Sequence, residues 1–182
     1  MTEKKTPISI KRELSKYLTS LQPEELIKEI NTLYANHKSV QAYYALELGG
    51  EAKAIELLQK YKVKIRKQYF PDKRNGNPKA AKLRSLITEF KKLSPYPMHT
   101  IDLMLYRVEQ AIDFLHQADG DLSETFYTTT ENAFFATTEL IKQEKMEVFF
   151  KTRCQLIRLS SKQFYWGFES TITHYYDETF SE

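Results

Sequence analysis

Cysteine occurs once, at Cys154, so the chain closes no internal disulfide and has no cysteine set for a zinc site. Glycine (5) and proline (6) are scarce in 182 residues, which argues against a turn-rich sandwich or barrel. No apolar run approaches the roughly 20 residues that span a bilayer, so no membrane partner is expected. The opening, MTEKKTPISIKREL, is basic but lacks a hydrophobic signal segment, and cytoplasmic residence is the expectation. HExxH, CxxC, a glycine-rich phosphate loop and a nucleophile elbow are all absent. The sequence therefore assigns no catalytic residue, no metal site and no cofactor.

What is present is helical periodicity. With 41% hydrophobic and 28% charged residues, the chain suits one folded domain over 1–182, with 1–7 a flexible N-terminus. The spacing predicts a first helix from near Ser9 to about Ser20, with Ile10, Leu14, Tyr17, Leu18 and Leu21 on one stripe. Pro23, followed by Glu24 and Glu25, opens a second whose buried face is Leu26, Ile30, Leu33 and Tyr34. A third carries Val40, Tyr43, Tyr44 and Leu48, and Gly49-Gly50 stops it. From about Glu51 to Tyr69 two patterns compete. Tyr61, Val63 and Ile65 alternate with Lys62, Lys64 and Arg66 as in a strand, yet Ala54, Leu58, Tyr61, Ile65 and Tyr69 fall on one helical arc. No partner strand is near, so helix is expected throughout.

A polar turn over Asp72 to Asn77 and Pro78 lead into a helix with Leu83, Leu86, Ile87, Phe90 and Leu93 inward and Arg84, Lys91 and Lys92 outward. Beyond Ser94-Pro95-Tyr96-Pro97, a strongly amphipathic helix to about Ala118 turns Leu103, Met104, Val108, Ala111, Ile112 and Leu115 to the core. Asp121 and Glu124 stand at capping-box spacing before a helix that buries Phe126, Thr130, Ala133, Phe134, Thr137, Leu140 and Ile141. An eighth, roughly Met146 to Leu159, carries Val148, Phe149, Cys154, Leu156 and Ile157, and a last one carries Ile172, Tyr175, Tyr176 and Phe180. The expected fold class is all-α, a bundle or short solenoid of antiparallel helical hairpins with about eight or nine helices.

Charge is divided along the chain. Lys60 to Lys92 holds 12 basic residues against Asp72 and Glu89, a net of +10 within a total of +3, so the remainder carries −7. Lys60, Lys64, Lys67, Lys73, Arg74, Arg84, Lys91 and Lys92 are the candidate surface for nucleic acid or another polyanion. The same residues would look identical if they neutralised the chain's own acidic helices. Asp102, Glu109, Asp113 and His116 share one side of a helix and form the candidate for metal binding or acid–base chemistry, set against a merely solvated polar side. His37, His99 and His174 sit near helix ends without ligand spacing, and Cys154 reads as a core thiol. Phe164, Tyr165, Trp166, Phe168, Tyr175 and Tyr176 are expected to plug the end of the bundle, with Trp166 buried against the last helix. Their alternative role is a recognition groove or base-stacking platform.

The segments LSKYLTSLQPEELIKEINTLY, QYFP, EFKKLSPYP, DLMLYRVEQAIDF, FYTT and WGFESTITHYYDE, with GD at one turn, give the chain its resemblance to an uncharacterised bacterial family of small all-helical proteins, a domain of unknown function. The resemblance implies an all-α fold and supplies no activity, cofactor or partner. The function expected is that of a non-enzymatic protein–protein interaction or scaffold domain, whose partner is another protein. Polyanion binding through the basic middle is the alternative, and an enzyme on the 102–116 helix is the distant one.

Overall fold

The computed structural model describes residues 7–72, 76–118, 122–162 and 164–180. Eight helices account for almost all of them: α1 (Pro7–Ser20), α2 (Pro23–Asn36), α3 (Lys38–Tyr69), α4 (Ala80–Leu93), α5 (Pro97–Gln117), α6 (Glu124–Gln143), α7 (Glu147–Ser160) and α8 (Phe168–Phe180). The described residues contain no strand. Helix continues through Tyr61 to Arg66, because the strand-like alternation there has no partner edge while Ala54, Leu58, Tyr61, Ile65 and Tyr69 are all buried on one side. α3 is broken at Gly50, whose φ of 60° and ψ of −155° are open to glycine alone. The N-terminal residues 1–6, Lys73 to Asn75 and the Asp119-Gly120-Asp121 corner lie outside the described residues.

The chain divides into two compact units, Met1–Leu48 and Gly49–Glu182. In the first, Pro23 starts α2, and the Gln22 amide donates to Glu25 Oε2 at 2.8 Å, as in a capping box. Tyr17 Oη donates to Glu29 Oε1 at 2.8 Å. The stripes expected to be buried here are not. Ile10, Leu14, Tyr17 and Leu18 on α1, Ile30, Leu33 and Tyr34 on α2, and Tyr43 and Leu48 on α3 are exposed. Short helices in a group of this size lack the surface to enclose their own apolar sides.

The second unit is built around α5. Leu103 and Ala111 join a cluster with Leu58, Tyr61, Ile65, Tyr69, Leu83, Leu86 and Phe90 from α3 and α4. Ile101, Leu105, Val108, Ile112 and Leu115 join a second cluster with residues of α6, α7 and α8. A helix that feeds two clusters is covered on nearly every side, which its apolar density permits. On α6 the threonines stay helical because their hydroxyls donate to their own backbone: Thr130 to Phe126 O at 2.9 Å, and Thr137 to Ala133 O at 2.6 Å. The cap of α6 is Ser123, with Glu124 opening the helix; the expected partner Asp121 is among the undescribed residues.

Two expectations about the C-terminal third fail. Trp166 is 61% exposed, not buried. Its φ of 62° is followed by 71° at Gly167, and this left-handed pair leads directly into Phe168, which fills the core in its place. Phe168 lies 5.4 Å from the Tyr127 ring, edge-on. On α7, the core receives Phe150, Cys154 and Ile157, while Val148, Phe149 and Leu156 face out. The apolar residues of that helix form two opposed stripes, and only one can meet the core.

Candidate functional site

The basic stretch splits between two tasks. Lys60, Lys64 and Lys67 recur at helical spacing on α3 and are exposed, as are Arg84, Lys91 and Lys92 on α4. Lys64 Nζ stands 4.1 Å over the Tyr61 ring, and Lys67 Nζ is 3.8 Å from Asp72 Oδ2. Lys73 and Arg74 lie outside the described residues. Lys62 and Arg66 are turned to α5 instead. Lys62 Nζ is 2.8 Å from Asp102 Oδ1, and Arg66 Nη1 donates to Gln110 Oε1 at 3.0 Å.

Asp102 and Glu109, two turns apart on α5, are both held by Arg153 of α7. Arg153 donates from Nε and Nη2 to the two oxygens of Glu109, at 2.6 and 2.9 Å, and from Nη1 to Asp102 Oδ1 at 2.6 Å. This fork is the geometry that suits a guanidinium. Burial alone would push the Asp102 carboxyl up, but hydrogen bonds from Lys62 and Arg153 outweigh it and hold the group below the ordinary carboxylate range. Burial likewise opposes the Arg153 charge, and Glu109 and Asp102 overcome it.

The acidic stripe is thus divided: Asp102 and Glu109 are tied to Arg153, while Asp113 and His116 are exposed and make separate contacts. Asp113 accepts from Gln110 Nε2 at 3.0 Å, while His116 Nε2 lies 3.2 Å from Ser160 O with its ring against Phe164. Among the described residues, no group of three or more His, Cys, Asp or Glu is placed to hold a metal ion. His37 caps α2 with its backbone, His174 faces Glu178 at 3.5 Å, and His99 is buried beside Tyr96. Cys154 is buried, and burial pushes its thiol up to about 12.

Two features escaped the sequence reading. One is Arg107, which is buried although charged. The signal was available, because Arg107 stands midway between Leu103 and Ala111 on the inward side of α5. The other is the outer side of α7, where Val148 is 90% exposed, Phe149 68%, Leu156 59% and Leu159 44%. Phe149, Thr152, Leu156 and Leu159 follow a three-four-three spacing, the pattern of a helix seam that meets another helix.

The fold and its sites define a class, the all-helical proteins built on a central buried helix. Within it, this chain belongs to the family of unknown function DUF6155, whose model matches residues 9–180. No curated protein and no solved structure matches it.

Proposed function

We propose that this chain is a cytoplasmic protein-interaction module that associates with a second copy of itself through the outer side of α7. The observation that carries this reading is that α7 is apolar on both sides and buried on one. Phe150, Cys154 and Ile157 fill the core, and Val148, Phe149, Leu156 and Leu159 are left in water. A helix with two opposed apolar stripes can turn only one of them to its own core, and the other is covered when a partner meets it.

A second copy fits because the seam is self-complementary. Its three-four-three spacing reads the same in both directions. A twofold axis between Thr152 and Leu156 therefore sets Phe149 against Leu159 of the second copy, and Thr152 against Leu156. The same register brings Glu147, at the start of one helix, towards Lys162 just past the end of the other. Opposed charges then meet, and the helix dipoles run antiparallel. A contact of one helix per protomer lies at the low end of interface sizes, so association is weak and concentration-dependent, in the micromolar range.

Sedimentation velocity over a range of concentrations tests this. The expected result is a rising mass for the native chain and a monomer at every concentration for Phe149→Asp/Leu156→Asp, with the helical circular dichroism unchanged. A native chain that stays monomeric at the highest concentration, or a double variant that associates equally well, overturns it.

A second reading, polyanion binding, rests on the outward placement of Lys60, Lys64, Lys67, Arg84, Lys91 and Lys92. No reaction is assigned.

A further inference from the structure

Arg107 and Arg153 are both sheltered from water, but in opposite circumstances. Arg153 has two carboxylates. Arg107 is only 7% exposed, and among the described residues its hydrogen-bonding partner is the neutral hydroxyl of Tyr69. Among the described residues the charged group acting on it is a cation, Arg84. A guanidinium withdrawn from water without a counter-charge is costly, and such a group is retained where something anionic meets it.

The surroundings provide room for that anion. Arg107 lines a cavity of about 340 Å³, with Asn77, Thr129 and Thr130 as further polar groups and Phe114 and Phe126 as apolar ones. The cavity also reaches Ala80, the first residue of α4, and Ser123 and Thr125, the cap and second residue of α6. Among the described residues neither helix start has a side-chain cap hydrogen bond, so the positive end of each helix dipole meets the cavity without one. Glu124, the acid in the first turn of α6, is exposed and does not line the cavity. One guanidinium and two helix starts of about +0.5 each approach +2, which matches the −1.5 to −2 of a phosphate monoester.

Arg107 and Thr129 also form the wall of a neighbouring hollow of about 240 Å³, which contains Arg84, Thr88 and Asn132. Both hollows are therefore cationic. The rim of the larger one depends on Gly76, where a Cβ would overlap the carbonyl oxygen of Tyr69. Only glycine lets residue 76 approach the end of α3 this closely.

We propose that this cavity binds a small phosphorylated organic molecule, its phosphate on Arg107 and its apolar body against Phe114 and Phe126. The site is independent of the α7 seam and stands or falls without it.

Calorimetric titration of the full chain with phenyl phosphate, inorganic phosphate, benzoate and benzyl alcohol tests the assignment, with the melting temperature read in parallel. Phenyl phosphate is expected to bind and raise the melting temperature, inorganic phosphate to bind more weakly, and benzyl alcohol not to bind. Arg107→Met is expected to lose about tenfold or more in phenyl phosphate affinity, the scale of a charge-assisted contact, while the unliganded protein melts no lower than the native chain. A guanidinium kept only for packing would give the reverse, a lower melting temperature and no ligand to lose. If Arg107→Met does not fold, Ser123→Ala/Thr129→Val supplies the test and is expected to weaken phenyl phosphate binding. The proposal is overturned if neither phosphate probe binds the native chain at millimolar concentration, if benzoate binds as tightly as phenyl phosphate, or if the altered chains bind as the native one does.

Discussion

Lys145 holds a backbone conformation made for glycine. At the end of α6 the Met146 amide donates to Ile141 O at 2.9 Å, and the Lys145 amide to Lys142 O at 3.1 Å. That is a Schellman closure, with Lys145 at φ 56° in the left-handed position. A side chain there is strained, so Lys145→Gly is expected to stabilise the fold by about 0.5–1 kcal/mol once the looser unfolded chain is allowed for. Urea midpoints would show it, and an unchanged or lower midpoint would contradict it. Acid tests the other notable residue, Asp102. Its carboxyl is held below its ordinary value in the folded chain, so its contribution is complete above about pH 4, the unfolded value, and fades as pH falls through the lowered folded one. Asp102→Asn should be less stable at neutral pH and should lose less stability on acidification. Arg153→Met, which leaves Asp102 and Glu109 without their shared cation, should cost about 2–3 kcal/mol, less than a fully buried pair because all three side chains keep some exposure. Denaturant titration at neutral pH reads the loss in both variants, and the same titration repeated in acid reads the smaller pH dependence of Asp102→Asn.

At the scale of elements, the outward cations of α3 and α4 give a direct prediction. Lys60→Glu/Lys91→Glu replaces exposed charges, so unfolding by denaturant should move by no more than about 0.5 kcal/mol. The native chain is expected not to bind mixed-sequence duplex at low salt. Binding whose logarithm falls with log salt at about −0.9 per phosphate contacted, and which the double reversal flattens, would replace the self-association reading with the polyanion one. Helix positions were legible in the sequence because the 3.6-residue period acts locally, even through the strand-like stretch at Tyr61 to Arg66. Which stripe of a helix faces the core was legible for α4 and α6, each of which has one dominant stripe, and only in part for α5, where Ile101 and Leu105 are buried outside the stripe expected. It was not legible for α7, where two stripes compete, because the choice is made by the neighbours, α5 and α8, and not by the helix. Trp166 failed for a related reason: size argued for burial, and two successive left-handed residues decided otherwise. Arg107 was the opposite case, a charge on an apolar stripe whose position was visible and whose meaning depends on a cavity that no single segment encodes.

For the whole molecule, the division at Leu48/Gly49 has a consequence for autonomy. Every member of the two core clusters lies between Leu57 and Phe180, beyond the break at Gly50. A chain beginning at Gly49 is therefore expected to unfold cooperatively, within about 4–8 °C of the full chain, the shift that about 1 kcal/mol makes in a domain of modest size. A broad transition, or dye binding typical of exposed apolar surface, would show that the first unit is needed to complete the second.

The outward position of Trp166 also decides what light can report. This is the one tryptophan among 12 tyrosines and 11 phenylalanines, and it stands in water, so its emission is that of a solvated indole before the core melts as well as after. Indole fluorescence will follow the unfolding of this protein poorly, whereas the packed tyrosines will mark it in the near-ultraviolet circular dichroism. The same indole is quenched by iodide from the start, and it will brighten, shift to the blue and escape the quencher only when another molecule settles over it.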